Sequence, residues 1–220
     1  MNLSQHSANV ECIDALKKHK TFVRVANFAN FSLGMFAPRV QTRFSSTLDA
    51  ILERDHRLRR NFPNNVFAAM TLNLGPQTVT YRHTDSLNVP WGWCAITAVG
   101  DYNSKNGGHL ILWDLGIAVE FPPGSTILIP SAILRHSNVA LSEGERRSSL
   151  TQYTAGALFR WQECGFQSEA SFKAHGGMHQ RTAEQRWQEG VDTLCHWEEL
   201  HSAIERRLLG QKVDSAACFQ

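Results

Sequence analysis

With 220 residues, 42% of them hydrophobic, the chain is long enough to bury a substantial core and suits one domain better than two. A formal charge of +2 and a pI near 8.3 permit a polyanionic partner without requiring one, and the absence of any run of about 18 apolar residues argues against a membrane protein. The N-terminus has no secretory apolar stretch, and Cys12, Cys94, Cys164, Cys195 and Cys218 are scattered without a CxxC pair, which points to a reducing, intracellular compartment and to neither a disulfide framework nor a zinc knuckle.

Residues 1–62 are predicted to be mainly helical. A first helix is expected over residues 10–27 and a second from Pro38, where proline suits the first turn and Phe44, Leu48, Ile51 and Leu52 recur at helical spacing, with Leu58 a further candidate. Arg54, Arg57, Arg59 and Arg60 make the end of this helix basic, either as a solvated terminus or as a phosphate-contacting patch.

From about residue 63 to 155 the pattern changes to short runs rich in Val, Ile, Thr and aromatics: FAAMTLNL, TVTYRH, WCAITAVG, HLILW, IAVEF, STILIP and SLTQYT. Gly75-Pro76, Asn106-Gly107-Gly108, Asp114-Leu115-Gly116 and Pro122-Pro123-Gly124 punctuate them as turns. Seven or eight strands at this spacing suit a jelly roll, so the expected class is mainly β with flanking helices, an α+β chain. Residues 156–220 return to helix, in ALFRWQECGF and then in one long segment beginning RTAEQRW, with Trp187, Val191, Leu194, Trp197 and Leu200 as its apolar stripe.

His83-Thr84-Asp85 ends the predicted strand TVTYRH. Residues two apart on a strand share a face, so the imidazole and carboxylate can converge on one ion. His136 follows 51 positions after Asp85 on a late strand. Two imidazoles and one carboxylate cap one face of an octahedron and leave positions open for a keto acid and dioxygen, the ligand set of non-haem Fe(II) oxygenases. Eleven positions further lies Arg147, and Arg147, Ser149, Thr151 and Tyr153 share a strand face. Its guanidinium can grip the distal carboxylate of 2-oxoglutarate in two parallel hydrogen bonds, with the Ser149 hydroxyl as a third. His175, His179, His196 and His201 lack a carboxylate at ligand spacing or a continuous helix to pair them, and are expected at the surface.

At these residues the sequence resembles the TET/JBP family of nucleic-acid-modifying dioxygenases, especially its fungal, transposon-associated branch. The likeness runs from GPQTVTYRHTDSLNVPWGWCAITAVGDYNSKNGGHLILWDL through EFPPGSTILIPSAILRHSN to ERRSSLTQYTAGALFRW, about half of the chain, with FPNNVFAAMTLN extending it upstream. The resemblance implies a double-stranded β-helix and oxidation of a methylated base, chiefly 5-methylcytosine to 5-hydroxymethylcytosine and beyond. It also implies Asn88, from the family pattern HxDxxN, beside co-substrate and base, Tyr153 stacked on the extruded base, and His109 near the other carboxylate of 2-oxoglutarate. Nuclear placement follows from the same likeness. Ala155 stands where animal TET enzymes carry a base-contacting histidine, so N6-methyladenine, a larger purine, is an alternative substrate. The cysteine-rich zinc module of those enzymes is absent.

A base inside a duplex cannot reach buried iron and must be flipped out, which costs a few kcal/mol. Stacking on Tyr153, with Trp91 or Trp93 as further candidates, returns about 1–3 kcal/mol per base. Phosphate contacts are expected from Arg82 and the Arg54–Arg60 cluster, and then from Lys17, Lys18 and Lys20. The expected protein is a monomer with DNA, or RNA, as partner. Hydroxylation of a protein or small molecule, and an inactive DNA-binding homologue, are the competing readings, because fold does not fix substrate.

Overall fold

The computed structural model describes residues 7–209, and no helix among them is long and apolar enough to cross a membrane. The described residues begin with three helices, α1 (Ser7–Lys18), α2 (Lys20–Phe36) and α3 (Pro38–Arg54). The predicted helix over 10–27 is therefore two elements: His19 takes an extended conformation (φ −68°, ψ 126°) that ends one and starts the other. Pro38 opens α3 at its first turn, and Phe44, Leu48 and Ile51 are buried as the spacing predicts. Leu58 falls beyond that helix and is exposed.

Seven strands follow: β1 (Ala69–Asn73), β2 (Cys94–Asp101), β3 (Leu110–Leu112), β4 (Ile117–Val119), β5 (Thr126–Ile129), β6 (His136–Asn138) and β7 (Arg146–Tyr153). They make two antiparallel sheets, one ordered β1-β7-β2-β5 and one ordered β4-β3-β6. Cys94, Ala98 and Ile129 of the first pack with Leu110 and Leu112 of the second, so the sheets face each other as a jelly-roll core. The other face of the first sheet meets the helices: Ala95 joins Leu33, Val40, Phe44 and Trp91, and Leu150 joins Ala26 and Phe62. Burying a side chain such as Phe44 contributes about 1.5–3 kcal/mol. Gln152 of β7 reaches the same side and hydrogen-bonds Asn65 and the Ala26 carbonyl, which fixes the sheet against α2.

TVTYRH is not a strand. After the kink at Gly75-Pro76 the chain bridges β7 once, at Gln77 opposite Arg147, then β6 once, at His83 opposite His136, and then the stretch just past β7, at Asn88 opposite Ala155. A segment that changes partner every few residues forms no continuous ladder. It wraps from one sheet to the other, and its few bridges are what position the site.

Among the described residues four helices follow: α4 (Gly156–Glu163), α5 (Glu169–Ala174), α6 (Ala183–Val191) and α7 (Trp197–Leu208). The long C-terminal helix of the sequence reading is interrupted at residues 192–196. There Leu194 packs on the core, its carbonyl accepts from Arg39, and the Glu199 carboxylate accepts from the His196 backbone N–H to start α7. Trp197 is consequently exposed rather than part of an apolar stripe.

Candidate active site

A cavity of about 450 Å³ lies between the sheets and is roofed by the wrapping segment. Its far wall is the inward face of β7, where Arg147, Ser149, Thr151 and Tyr153 all line it, as strand alternation requires. β6 contributes His136 and Asn138, and the wrapping segment contributes His83, Asp85 and Asn88.

His83, Asp85 and His136 offer three ligand atoms within 4.8 Å of one another. The bridge that pairs residues 83 and 136 brings the two rings to 4.4 Å between centroids. Nδ1 of His83 lies 2.7 Å from the Tyr81 carbonyl and Nδ1 of His136 lies 2.9 Å from the Leu134 carbonyl. A carbonyl only accepts, so each Nδ1 carries the hydrogen and each Nε2 is left with its lone pair for a metal. Burial pushes the His136 imidazole below its ordinary pKa, which favours the neutral, ligating form. Nε2 of His83 stands 3.6 Å from the Asp85 carboxylate, so both address one point. The donor set fits a divalent first-row metal with open positions on its far side.

The Asp85 carboxylate is placed from behind. Its backbone N–H donates to the Ser131 carbonyl, and the Asn88 amide lies between the Ser131 hydroxyl at 3.1 Å and the carboxylate at 3.5 Å. Just before β6, Arg135 is locked by the Asp114 carboxylate through both its backbone N–H and its side chain, holding Asp114 below the usual carboxylate range.

Arg147 is buried beside the rings of Tyr102 and Phe121, and its Nε and Nη1 have no hydrogen-bond partner. A desolvated guanidinium with unused donors in a cavity wall fits a carboxylate. Ser149, two residues along, accepts from the Asn73 amide and is oriented by it. The Tyr153 hydroxyl is 3.3 Å from that of Thr71, across the β1–β7 pair.

Four expected site residues stand elsewhere. Trp91 is a core side chain, packed 5.9 Å from Phe44 and 4.9 Å from Phe159 between ring centroids, and Trp93 packs against the same core; no ring there is available for a base in the cavity. Arg82 extends over the Trp113 ring on the outside of the second sheet, and His109 is not part of the cavity wall. Ala155 stands behind the wall, bridged to Asn88, which lines the cavity. Within the arginine cluster, Arg57 pairs with Asp55 and Arg60 with Asp49, while Arg59 turns back to the carbonyls of His56 and Leu58, leaving Arg54 exposed at the end of α3. Lys17, Lys18 and Lys20 lie at the α1–α2 break. His175, His196 and His201 are exposed, and His179 is half-buried against Glu169. Asn73, Thr80, Ser131 and Asn138 join the site unannounced; Asn138 alone carried a signal, standing two residues after His136 on the same strand face.

No family model and no curated protein matches the chain. Among solved structures, NgTET1 in complex with 5mC DNA aligns at 14% identity with a TM-score of 0.39, covering 61% of this chain and 55% of that one. The chain thus spans about half the length of that neighbour. A viral collagen prolyl hydroxylase from Paramecium Bursaria Chlorella virus-1, in its 2OG complex, aligns at 13% identity and TM-score 0.30, covering 50% of this chain and 69% of that one.

Proposed function

We propose that the protein is an Fe(II)- and 2-oxoglutarate-dependent dioxygenase that oxidises a methylated base in DNA, 5-methylcytosine first. The observation that carries the reading is the sharing of one cavity by two imidazoles and a carboxylate, aimed at one point, and a buried guanidinium with unused donors. His83, Asp85 and His136 would hold the iron, and Arg147 with Ser149 the distal carboxylate of 2-oxoglutarate. Iron, 2-oxoglutarate and dioxygen together supply the power to oxidise an unactivated methyl group. The chain supplies geometry. Asn88 keeps the Asp85 carboxylate in place. Tyr153, its hydroxyl held by Thr71, presents a fixed ring for a base turned out of the duplex. At the rim, Leu87 is 83% exposed, an apolar side chain that a large substrate would cover.

The test is incubation with Fe(II), 2-oxoglutarate and duplexes carrying 5-methylcytosine or N6-methyladenine, followed by mass spectrometry of the nucleosides and assay of succinate. The expected result is 5-hydroxymethylcytosine with succinate, both lost in His83→Ala. Succinate without base oxidation would move the substrate to a protein or small molecule. Iron-dependent succinate release that never appears, with any of these, rejects the oxygenase.

A further inference from the structure

A second cavity, of about 620 Å³, opens on the helical side of the molecule, and its wall contains Arg43 of α3, Arg160 of α4 and Arg181 and Arg186 beside or within α6. Two carboxylates answer these four guanidiniums. Glu163 pairs with Arg181 at 3.2 Å and more distantly with Arg186, and Glu189 pairs with Arg181 at 2.6 Å and with Arg43 at 4.0 Å. Among the described residues the Arg160 side chain has no hydrogen bond or ion pair, although it is exposed at the cavity wall. The cluster therefore keeps an excess of two positive charges. Arg43 lies with its guanidinium 4.4 Å from the Trp91 ring centroid, where burial pushes it below its ordinary pKa against the opposing pull of Glu189. A charge held against burial and only distantly paired is stabilised by an anion that enters.

We infer that this cleft binds a phosphate ester. Guanidinium forks suit phosphate oxygens, and the excess charge matches one phosphate monoester or two phosphodiesters. The half-exposed Trp187 adds an aromatic face at the wall, as nucleotide sites often provide. The cleft also touches the first cavity through one stretch of chain: Leu87 and Asn88 line the one, and Val89, Pro90 and Trp91 line the other. A nucleic-acid backbone is thus one source of the phosphate, and a small phosphorylated ligand is the other.

Binding is measured on the full-length, metal-free protein, so the outcome is independent of any turnover. One arm titrates inorganic phosphate against tryptophan emission; the other titrates an unmethylated duplex by fluorescence anisotropy at several salt concentrations. Saturable binding is expected in at least one arm, weakened roughly tenfold by Arg160→Gln and further by Arg160→Glu. In the duplex arm, R160Q should also lower the slope of log affinity against log salt by about one. Binding of phosphate alone identifies a small ligand, and binding of both identifies the backbone. The inference is overturned if neither ligand saturates, or if R160E binds as the parent does.

Discussion

Arg147 is the residue at which stability and the proposed activity pull apart. It is buried with two donors unsatisfied, an arrangement that costs about 1–3 kcal/mol even with the Tyr102 and Phe121 rings beside it. Arg147→Met keeps the volume and removes the unpaired donors. The variant should therefore be more stable than the parent by about 1–3 kcal/mol, which raises Tm by about 2–4 °C for each kcal/mol in a chain of this size. It should lose 2-oxoglutarate binding by at least roughly a hundredfold, measured by calorimetry on metal-loaded protein. A destabilised R147M with intact 2-oxoglutarate affinity would place the guanidinium in a structural role. The convergence of His83, Asp85, His136 and Arg147 on one cavity was legible in the sequence because their proposed roles require particular residue types at strand spacing. Trp91 misled for a physical reason: an indole near a metal motif serves equally well as core, and only the contacts with Phe44 and Phe159 distinguish the two.

At the scale of elements, legibility followed periodicity. β7 runs unbroken over eight residues, and the structure puts its predicted face, Arg147, Ser149, Thr151 and Tyr153, on the cavity. TVTYRH reads as a strand too yet forms no ladder, because its partners are fixed by distant bridges that no local pattern encodes. The break between α6 and α7 has the same origin: tertiary contacts of Leu194 and Arg39 override helical propensity. α6 itself is held by Gly190, which sits against Trp91; a Cβ there would meet the indole at 2.0 Å. Gly190→Ala raises helix propensity by about 1 kcal/mol, but overpacking a filled core costs typically 1–3 kcal/mol. The clash should win, since the neighbour is a rigid ring rather than the end of a flexible chain. A lowered urea midpoint with unchanged m is expected; a raised midpoint would mean that α6 can shift away from the sheet-backing core.

For the whole molecule, the decisive feature is that the proposed ligands of one small site come from both sheets. His136 belongs to β6 of the second sheet and Arg147 to β7 of the first, with His83 and Asp85 on the segment that crosses between them. A metal alone engages the crossing segment and β6. Only 2-oxoglutarate, chelated to that metal and gripped by Arg147, would clasp β6 to β7 across the cavity. A ligand that binds the folded state alone stabilises it by about 2.7 kcal/mol at a hundred times its Kd. Thermal unfolding of chelator-treated protein should therefore rise modestly with Mn(II), an inert stand-in for the reactive ion. It should stay unchanged with 2-oxoglutarate alone and rise by more than the sum of the two when both are present. In R147M the metal shift should persist and the excess vanish. Strictly additive shifts in the parent would mean that the two sheets close their cavity without a bridging ligand, and would remove the physical link between the triad on one wall and the guanidinium on the other.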